Sequence, residues 1–549
     1  MKTNDLKLVA AAICCLAILF SCDNQTDKCT SCMATPGNPY LPLWEHIPDG
    51  EPYVFEDPDQ PGKYRAYIYG SHDVLQTEYC GYDFVLWSAS VDSLNVWRYE
   101  GVILVVDKNA KGEYFHPDGQ GDILYAPDVA VTVDGNGKKT YYLYPNDQAM
   151  GRNSLVAKSD RPDGPFEICN WDPANPDQTK GVLTFDPAVL VDDDGRVYGY
   201  WGFEHSYGAE LDPADMANVK SGAKIVDGMI PGRHEDDVFR FFEASSIRKI
   251  EDKYVFIYSR WTKDGEFGLH DTNYTLAYAY SDAPLGPWTF GGTIIDARGR
   301  EVNENGETIA SATISGNTHG SICKIKDQWY VFYHRQTGTN EFARQPMVAP
   351  IDVKVEPGPG GKVVISEGEY TSEGFALDGL DPLERHSAGI ACWYTGPKVA
   401  EHAWPEKTYF GSYVAAAHGT PSNFDAPYDI KNNTNPVIFN TDGSIVGYKY
   451  FNFNKMCGKS NPQLLLRLIP AGIDGTIQVM LDRPWESQGG TLLATVDVKS
   501  GWRERSRELK IDLPGLEKSS GKHAIYFKFF SDTKEQSICT LQDFVFRNK

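Results

Sequence analysis

Positive charge is scarce in this 549-residue chain, where 52 Lys and Arg stand against 75 Asp and Glu for a formal net charge of −23. Such a balance repels a phosphate backbone and excludes nucleic acid as a partner. No block of like charge is long enough to read as a disordered tail, so the acidity describes a solvated surface and carries no mechanism. Long apolar runs are also missing: the stretch from Leu8 to Phe20 is too short to span a bilayer comfortably. Cysteine is sparse and irregularly spaced, and the lone pair Cys29-x-x-Cys32 has no nearby His or Cys to complete a zinc or redox site. Aromatic residues, by contrast, are plentiful, with 31 Tyr, 26 Phe and 12 Trp beside 51 Gly and 33 Pro. That mixture suits short strands joined by tight turns and predicts an all-β protein.

At the N-terminus, Lys2 and Lys7 precede the apolar run, which has the length of a signal-peptide core. It ends in Leu19-Phe20-Ser21-Cys22, which resembles the lipobox of bacterial lipoproteins. The resemblance implies removal of residues 1–21, lipidation of Cys22, and a place in the bacterial cell envelope, at either face of the outer membrane. A polar tether is expected over 22–35, in which Cys29 and Cys32 can close as a local disulfide outside the cytosol.

Between Pro36 and about Val355 one pattern recurs: a short apolar strand, an acidic or glycine turn, then an aromatic strand. It is visible where Pro52–Phe55 leads into Tyr64–Ser71, Pro127–Ala130 into Tyr141–Pro145, and Pro187–Leu190 into Val197–Trp201. Ala244–Ile247 then leads into Tyr254–Ser259, and Gly320–Cys323 into Trp329–His334. Repetition on this scale predicts a five-bladed β-propeller over 36–360. Glu356-Pro-Gly-Pro-Gly-Gly-Lys362 interrupts it, because Pro and Gly do not continue a strand ladder cheaply. From 361 to 549 cleanly alternating strands predict a β-sandwich. Gly447–Phe453, Thr476–Asp482 and Leu541–Phe546 are similar to the jelly-roll carbohydrate-binding modules of family 6, although the usual opening motif is lacking. Trp485 and Trp502 there can stack on a sugar or simply pack.

In a propeller the innermost strand of each blade begins near the axis, so acids opening those strands converge from distant parts of the chain. Asp49 or Glu51, Asp128, Asp186 and Glu243 occupy that slot in the first four blades. Gathered carboxylates raise one another's pKa and cost stability, which points to chemistry, and two of them suffice to cleave a glycosidic bond with one as acid and one as base.

At these positions the chain resembles glycoside hydrolase family 43. Phe185-Asp186-Pro187 is similar to the motif whose aspartate orients and tunes the acid, and Phe242-Glu243-Ala244 to the strand that carries the acid itself. The resemblance implies substrate contacts for Asp128 in Tyr125-Ala-Pro-Asp128 and for Tyr125. It implies an arginine, Arg344, closing the site against the base, and an axial histidine, His319, beside a hydrated calcium or water cluster. The first blade departs from the family pattern, which has an aspartate directly before proline. In His46-Ile-Pro-Asp49-Gly50-Glu51-Pro52, ungapped register favours Glu51 as base and residue type favours Asp49, and on an extended strand both would share a face. The expected activity is inverting hydrolysis that releases terminal α-L-arabinofuranosyl, β-D-xylosyl or related furanosyl units without a cofactor. Endo-arabinanase action and a catalytically inactive binding propeller are the alternatives. The R-D-P and E-C motifs of fructan-acting propellers and the S-x-D-x-G-x-T-W boxes of sialidases are absent.

Overall fold

The computed structural model describes residues 32–75, 77–416 and 435–549. The signal segment, Cys22 and Cys29 lie outside the described residues. The rest is strand, turn and a few single-turn 3-10 helices.

Five antiparallel sheets follow one another along the chain. Their innermost strands are Glu51–Glu56, Leu124–Val133, Ala188–Val191, Phe241–Ile250 and Ser321–Ile325. They open blades 1 to 5, at the places where the sequence repeat puts them. Blades 2 to 4 have four strands each and blade 5 has three, while blade 1 gains Cys32–Ala34 on its outer edge beside Val96–Val105.

Strand periodicity explains how the blades assemble. Successive side chains on a strand point to opposite faces, so the second strand of each blade feeds two different cores. In blade 1, Ala66 and Ile68 face one way and Tyr67 and Tyr69 the other. In blade 5, Tyr330 and Phe332 pack against blade 1 with Trp87 and Trp97, whereas Val331 and Tyr333 pack against blade 4 with Ile257 and Leu276. The same division in blades 2, 3 and 4 produces a core between each neighbouring pair. The innermost strands touch in chain order, and blade 5 meets blade 1. The result is a five-bladed propeller.

The C-terminal part forms two packed antiparallel sheets. The strands expected there are present as Ile445–Asn452, Pro462–Pro470, Gly475–Leu481 and Lys522–Phe530. Residues 356–362 form the turn of a hairpin between Val353–Val355 and Val363–Ile365, and Tyr278 of blade 4 holds the far side through Val363 O and Ile365 N. The chain beyond the Pro/Gly stretch therefore stays on the propeller before it enters the sandwich. Trp485 is a packing residue, 8 % exposed and edge-on to Trp393, and Trp502 lies under the Arg507 guanidinium.

The apolar cluster between blades 4 and 5 continues without a break into the sandwich core. Arg335 of blade 5, fully buried, pins that junction: it donates to Gln345 Oε1 at 3.0 and 2.9 Å, to Ala391 O at 2.8 Å and to Gly389 O. Arg335→Ala strands these acceptors and should cost about 2–4 kcal/mol. Calorimetry should show one endotherm containing both parts, moved down as a whole by this variant. Two resolved transitions, only one of them displaced, would contradict a shared core.

Candidate active site

The carboxylates of the first, third and fourth blades meet at one end of the axis, and each is carried by irregular backbone. Asp49 (φ 59°) and Asp186 (φ 41°) lie in the left-handed region just before their strands, and Ala244 (φ 66°) follows Glu243 within a bulge of the blade 4 strand. Non-glycine residues adopt this conformation at a cost, and it turns their side chains out of the pleat toward the axis.

Asp49 is the most constrained. Arg344 Nη1 donates to its Oδ1 at 3.0 Å, and the Ser71 hydroxyl donates to Oδ2 at 2.6 Å while accepting the Ala126 N–H. Arg344 is itself locked, its Nε and Nη2 each 2.8 Å from the two oxygens of Asp73. The Asp49 N–H donates to His334 Nδ1, and His334 Nε2 meets Asn317 O at 2.9 Å, which fixes a neutral imidazole with its proton on Nε2. Burial lowers the His334 pKa to about 3, in keeping with that tautomer. Burial also opposes ionisation of Asp49, but the Arg344 charge, helped by the Ser71 hydroxyl, outweighs it and holds the carboxyl below its usual range. Asp49 is a carboxylate.

Asp186 accepts Asn146 Nδ2 at 2.8 Å and the Ala244 N–H at 3.0 Å, and His319 Nδ1 lies 3.8 Å from its Oδ2. Glu243 is partly exposed, and among the described residues none donates a hydrogen bond to its carboxyl. Burial, then the charges of Asp186 and Asp49, push Glu243 well above the ordinary glutamate value. Burial raises Asp186 as well, with Asp49 adding to it against the pull of His319. Of the two, Glu243 is the one that holds a proton, because Asp186 accepts two N–H donors and Glu243 accepts none. The arrangement is one ionised carboxylate and one protonated acid under a shared field, with Arg344 closing the side behind Asp49.

Glu51 and Asp128 are not part of this group. Glu51, fully buried, takes Arg248 Nη2 at 2.6 Å, and Arg248 Nη1 donates to the Tyr53 hydroxyl. Tyr53 donates to Asp128 Oδ1 at 2.6 Å, and Asp128 Oδ2 accepts the Val189 N–H at 2.7 Å. Both Asp128 oxygens are thus used by protein donors, which corrects the expectation that it touches sugar hydroxyls; burial, then Glu51, raise its pKa to about 7. The two acids tie blades 1, 2, 3 and 4 together along the axis. Tyr125 adjoins Ala126, the residue held by Ser71, and its half-buried hydroxyl is pushed up to about 12 by burial.

Several participants gave no signal in the sequence. Ser71 and Asp73 follow the second strand of blade 1 and His334 lies within the second strand of blade 5, none of them in a motif; Asp73 meets Arg344 across 271 positions and His334 meets Asp49 across 285, whereas Ser71 reaches Asp49 across 22. An aromatic row, Phe185, Phe203, Phe242 and Trp261, borders Asp186 and Glu243 with successive ring centroids 5.0–5.1 Å apart. Phe203 is 48 % exposed. Around His319, the buried atoms Asn317 Oδ1, Thr318 Oγ1 and Asn146 Oδ1 make no protein hydrogen bond. Among the described residues no group of three or more His, Cys, Asp or Glu is placed to hold a metal directly. These neutral oxygens fit a water cluster, or a cation carried in its water shell.

The model of glycosyl hydrolases family 43 matches residues 64–356. The chain is 36% identical over 372 residues to a protein named xylosidase/arabinosidase from Thermoclostridium stercorarium, covering 65% of this chain and 71% of that one. It is 28% identical over 528 residues to an arabinoxylan arabinofuranohydrolase from Paenibacillus polymyxa, covering 90% of this chain and 72% of the other. Among solved structures it is similar to a family 43 arabinoxylan arabinofuranohydrolase from Bacillus subtilis in complex with cellotetraose, at 22% identity and a TM-score of 0.44, over 94% of this chain and 98% of that one. With more than half of its length matched by the family model, and with a relative above 30% identity largely covered, the chain belongs to glycosyl hydrolases family 43.

Proposed function

We propose that this glycoside hydrolase removes single α-L-arabinofuranosyl or β-D-xylosyl units from the ends or branches of a plant-type polysaccharide by inversion, with Asp49 as base, Glu243 as acid and Asp186 as the residue that tunes and orients the acid. The observation that carries the reading is the opposition of protonation states. Arg344 keeps Asp49 charged and ready to take a proton from water, while Asp186, with burial, keeps Glu243 protonated and ready to give one to the leaving oxygen. Water attacks the anomeric carbon from the Asp49 side as the glycosidic bond breaks. The water's proton goes to Asp49, and the Glu243 proton goes to the departing alkoxide. The names of the similar proteins, xylosidase/arabinosidase and arabinoxylan arabinofuranohydrolase, support this choice of sugars. His319 and the oxygens around it are the seat of a water cluster or hydrated calcium that steadies the axis and takes no part in bond breaking. No cofactor enters the chemistry.

The roles separate by leaving group. Glu243→Gln should lower kcat/KM on natural glycosides by at least about a thousandfold, and far less on aryl glycosides whose phenol leaves without a proton. Asp49→Ala should suppress both substrate types. Glu51→Ala should first lower the melting temperature, because it leaves the Arg248 guanidinium buried without its partner. Loss of turnover in Glu51→Ala with Asp49→Ala still active would move the base role to Glu51.

The pH profile of kcat/KM tests the tuning role. Its basic limb follows deprotonation of Glu243. Asp186→Asn removes a negative charge from beside that acid, so the Glu243 pKa falls and the basic limb moves to lower pH. A basic limb that stays in place, or moves to higher pH, would show that Asp186 does not set the acid.

A further inference from the structure

We propose that the hairpin Glu401–Ala403/Glu406–Thr408, carried by the sandwich, is a wall of the substrate site, and that Trp404 at its tip is the platform on which the sugar beyond the scissile bond stacks. The inference rests on the proposed function and adds the leaving-group side, a pyranose ring of a xylan-type main chain.

Trp404 is 68 % exposed, which is unusual for the largest apolar side chain in a sequence that buries Trp87, Trp97 and Trp393 almost completely. The hairpin that carries it is nevertheless held. The indole neighbours the Tyr79 hydroxyl, and Tyr79 donates to Glu341 Oε2 at 2.5 Å. Glu341 is met from the hairpin side by His402, with Nε2 2.6 Å from Oε1. The hairpin is docked on the propeller through its backbone as well: the Lys407 N–H donates to Thr339 O at 2.8 Å, and Asn340 bridges to Glu406. Lys407 itself is 4 % exposed, its ammonium without a hydrogen bond and facing the Glu341 charge. These contacts fix the tip of a sandwich loop against the first and fifth blades.

The same side chains reach the reacting groups. Tyr79 places its ring 4.8 Å from the Arg344 guanidinium, and Arg344 holds Asp49. The charge of Glu341 is felt at Glu243. Trp404 is therefore two side chains removed from Arg344. A flat aromatic face on a hairpin docked through its backbone loses little entropy when a ring settles on it, and sugar C–H faces bind such surfaces. The face would meet a sugar attached to the released unit, since the released unit itself must sit between Asp49 and Glu243.

The test compares Trp404→Ala and Trp404→Phe with the full-length enzyme on two substrates: an arabinose-substituted xylo-oligosaccharide, and the methyl glycoside of the released sugar, which offers no ring on the leaving side. Trp404→Ala should lower kcat/KM on the oligosaccharide about tenfold, through KM, and clearly less on the methyl glycoside, while Trp404→Phe restores most of the loss. Equal losses on both substrates, or none on either, would overturn the proposal. Binding is read separately by titrating Glu243→Gln with xylotriose and following tryptophan emission. A change in emission that disappears in the Glu243→Gln/Trp404→Ala double variant supports the platform, and an identical response in both overturns it. If the wild type releases neither arabinose nor xylose, the proposed function fails, while this titration still decides the platform.

Discussion

A single guanidinium, that of Arg344, is shared between two buried carboxylates, Asp49 and Asp73, and much of the site depends on that sharing. Taking three charges out of water is expensive, and a buried ion group breaks even only when its geometry is good and its remaining donors are satisfied. Here the fork pairs with Asp73 in two bonds and gives a third to Asp49, while Ser71 and the Asp73 contact with the Cys80 N–H absorb remaining oxygens. Because Arg344 opens the last strand of blade 5 and both aspartates belong to blade 1, the group also joins the first blade to the last. The same group therefore reinforces the apolar contact between blades 1 and 5 and sets the charge of Asp49, the proposed base. It also weighs on the acid side, where burial, then the charge of Asp186, then that of Asp49 make ionisation of Glu243 costly.

Much of the architecture was legible because it rests on period-two alternation. The five aromatic second strands read clearly in the sequence, and each turned out to serve two inter-blade cores by sending alternate residues to opposite faces. Asp186 and Glu243 were legible for a related reason, as acids immediately before or within an apolar strand. The choice between Asp49 and Glu51 was not. Residues i and i+2 share a face only on an extended chain, but Asp49 has a left-handed backbone and the strand begins only at Glu51. One carboxyl swings to Arg344 and the other runs inward to Arg248. Asp128 misled in the opposite way, since its position at a blade opening is real but its two oxygens are consumed inside the protein.

What stayed invisible depends on long-range contact. Asp73 meets Arg344 across 271 positions, and Tyr79 meets Glu341 across 262. No local pattern announces either pair. The Pro/Gly stretch at 356–362 likewise reads as a break, although the chain after it continues to pack on blade 4 and the sandwich core is continuous with that of the propeller. Joining the parts this way lets a sandwich hairpin reach the rim of a site whose acids all come from the propeller.

In the proposed mechanism Asp49 activates water directly and no covalent glycosyl intermediate forms. Proton NMR of the sugar at the first turnovers, before mutarotation, reads this without any variant. The first-formed anomer should have the configuration opposite to that of the glycoside cleaved. A product that retains the substrate's configuration would contradict it and would require a carboxylate acting as nucleophile.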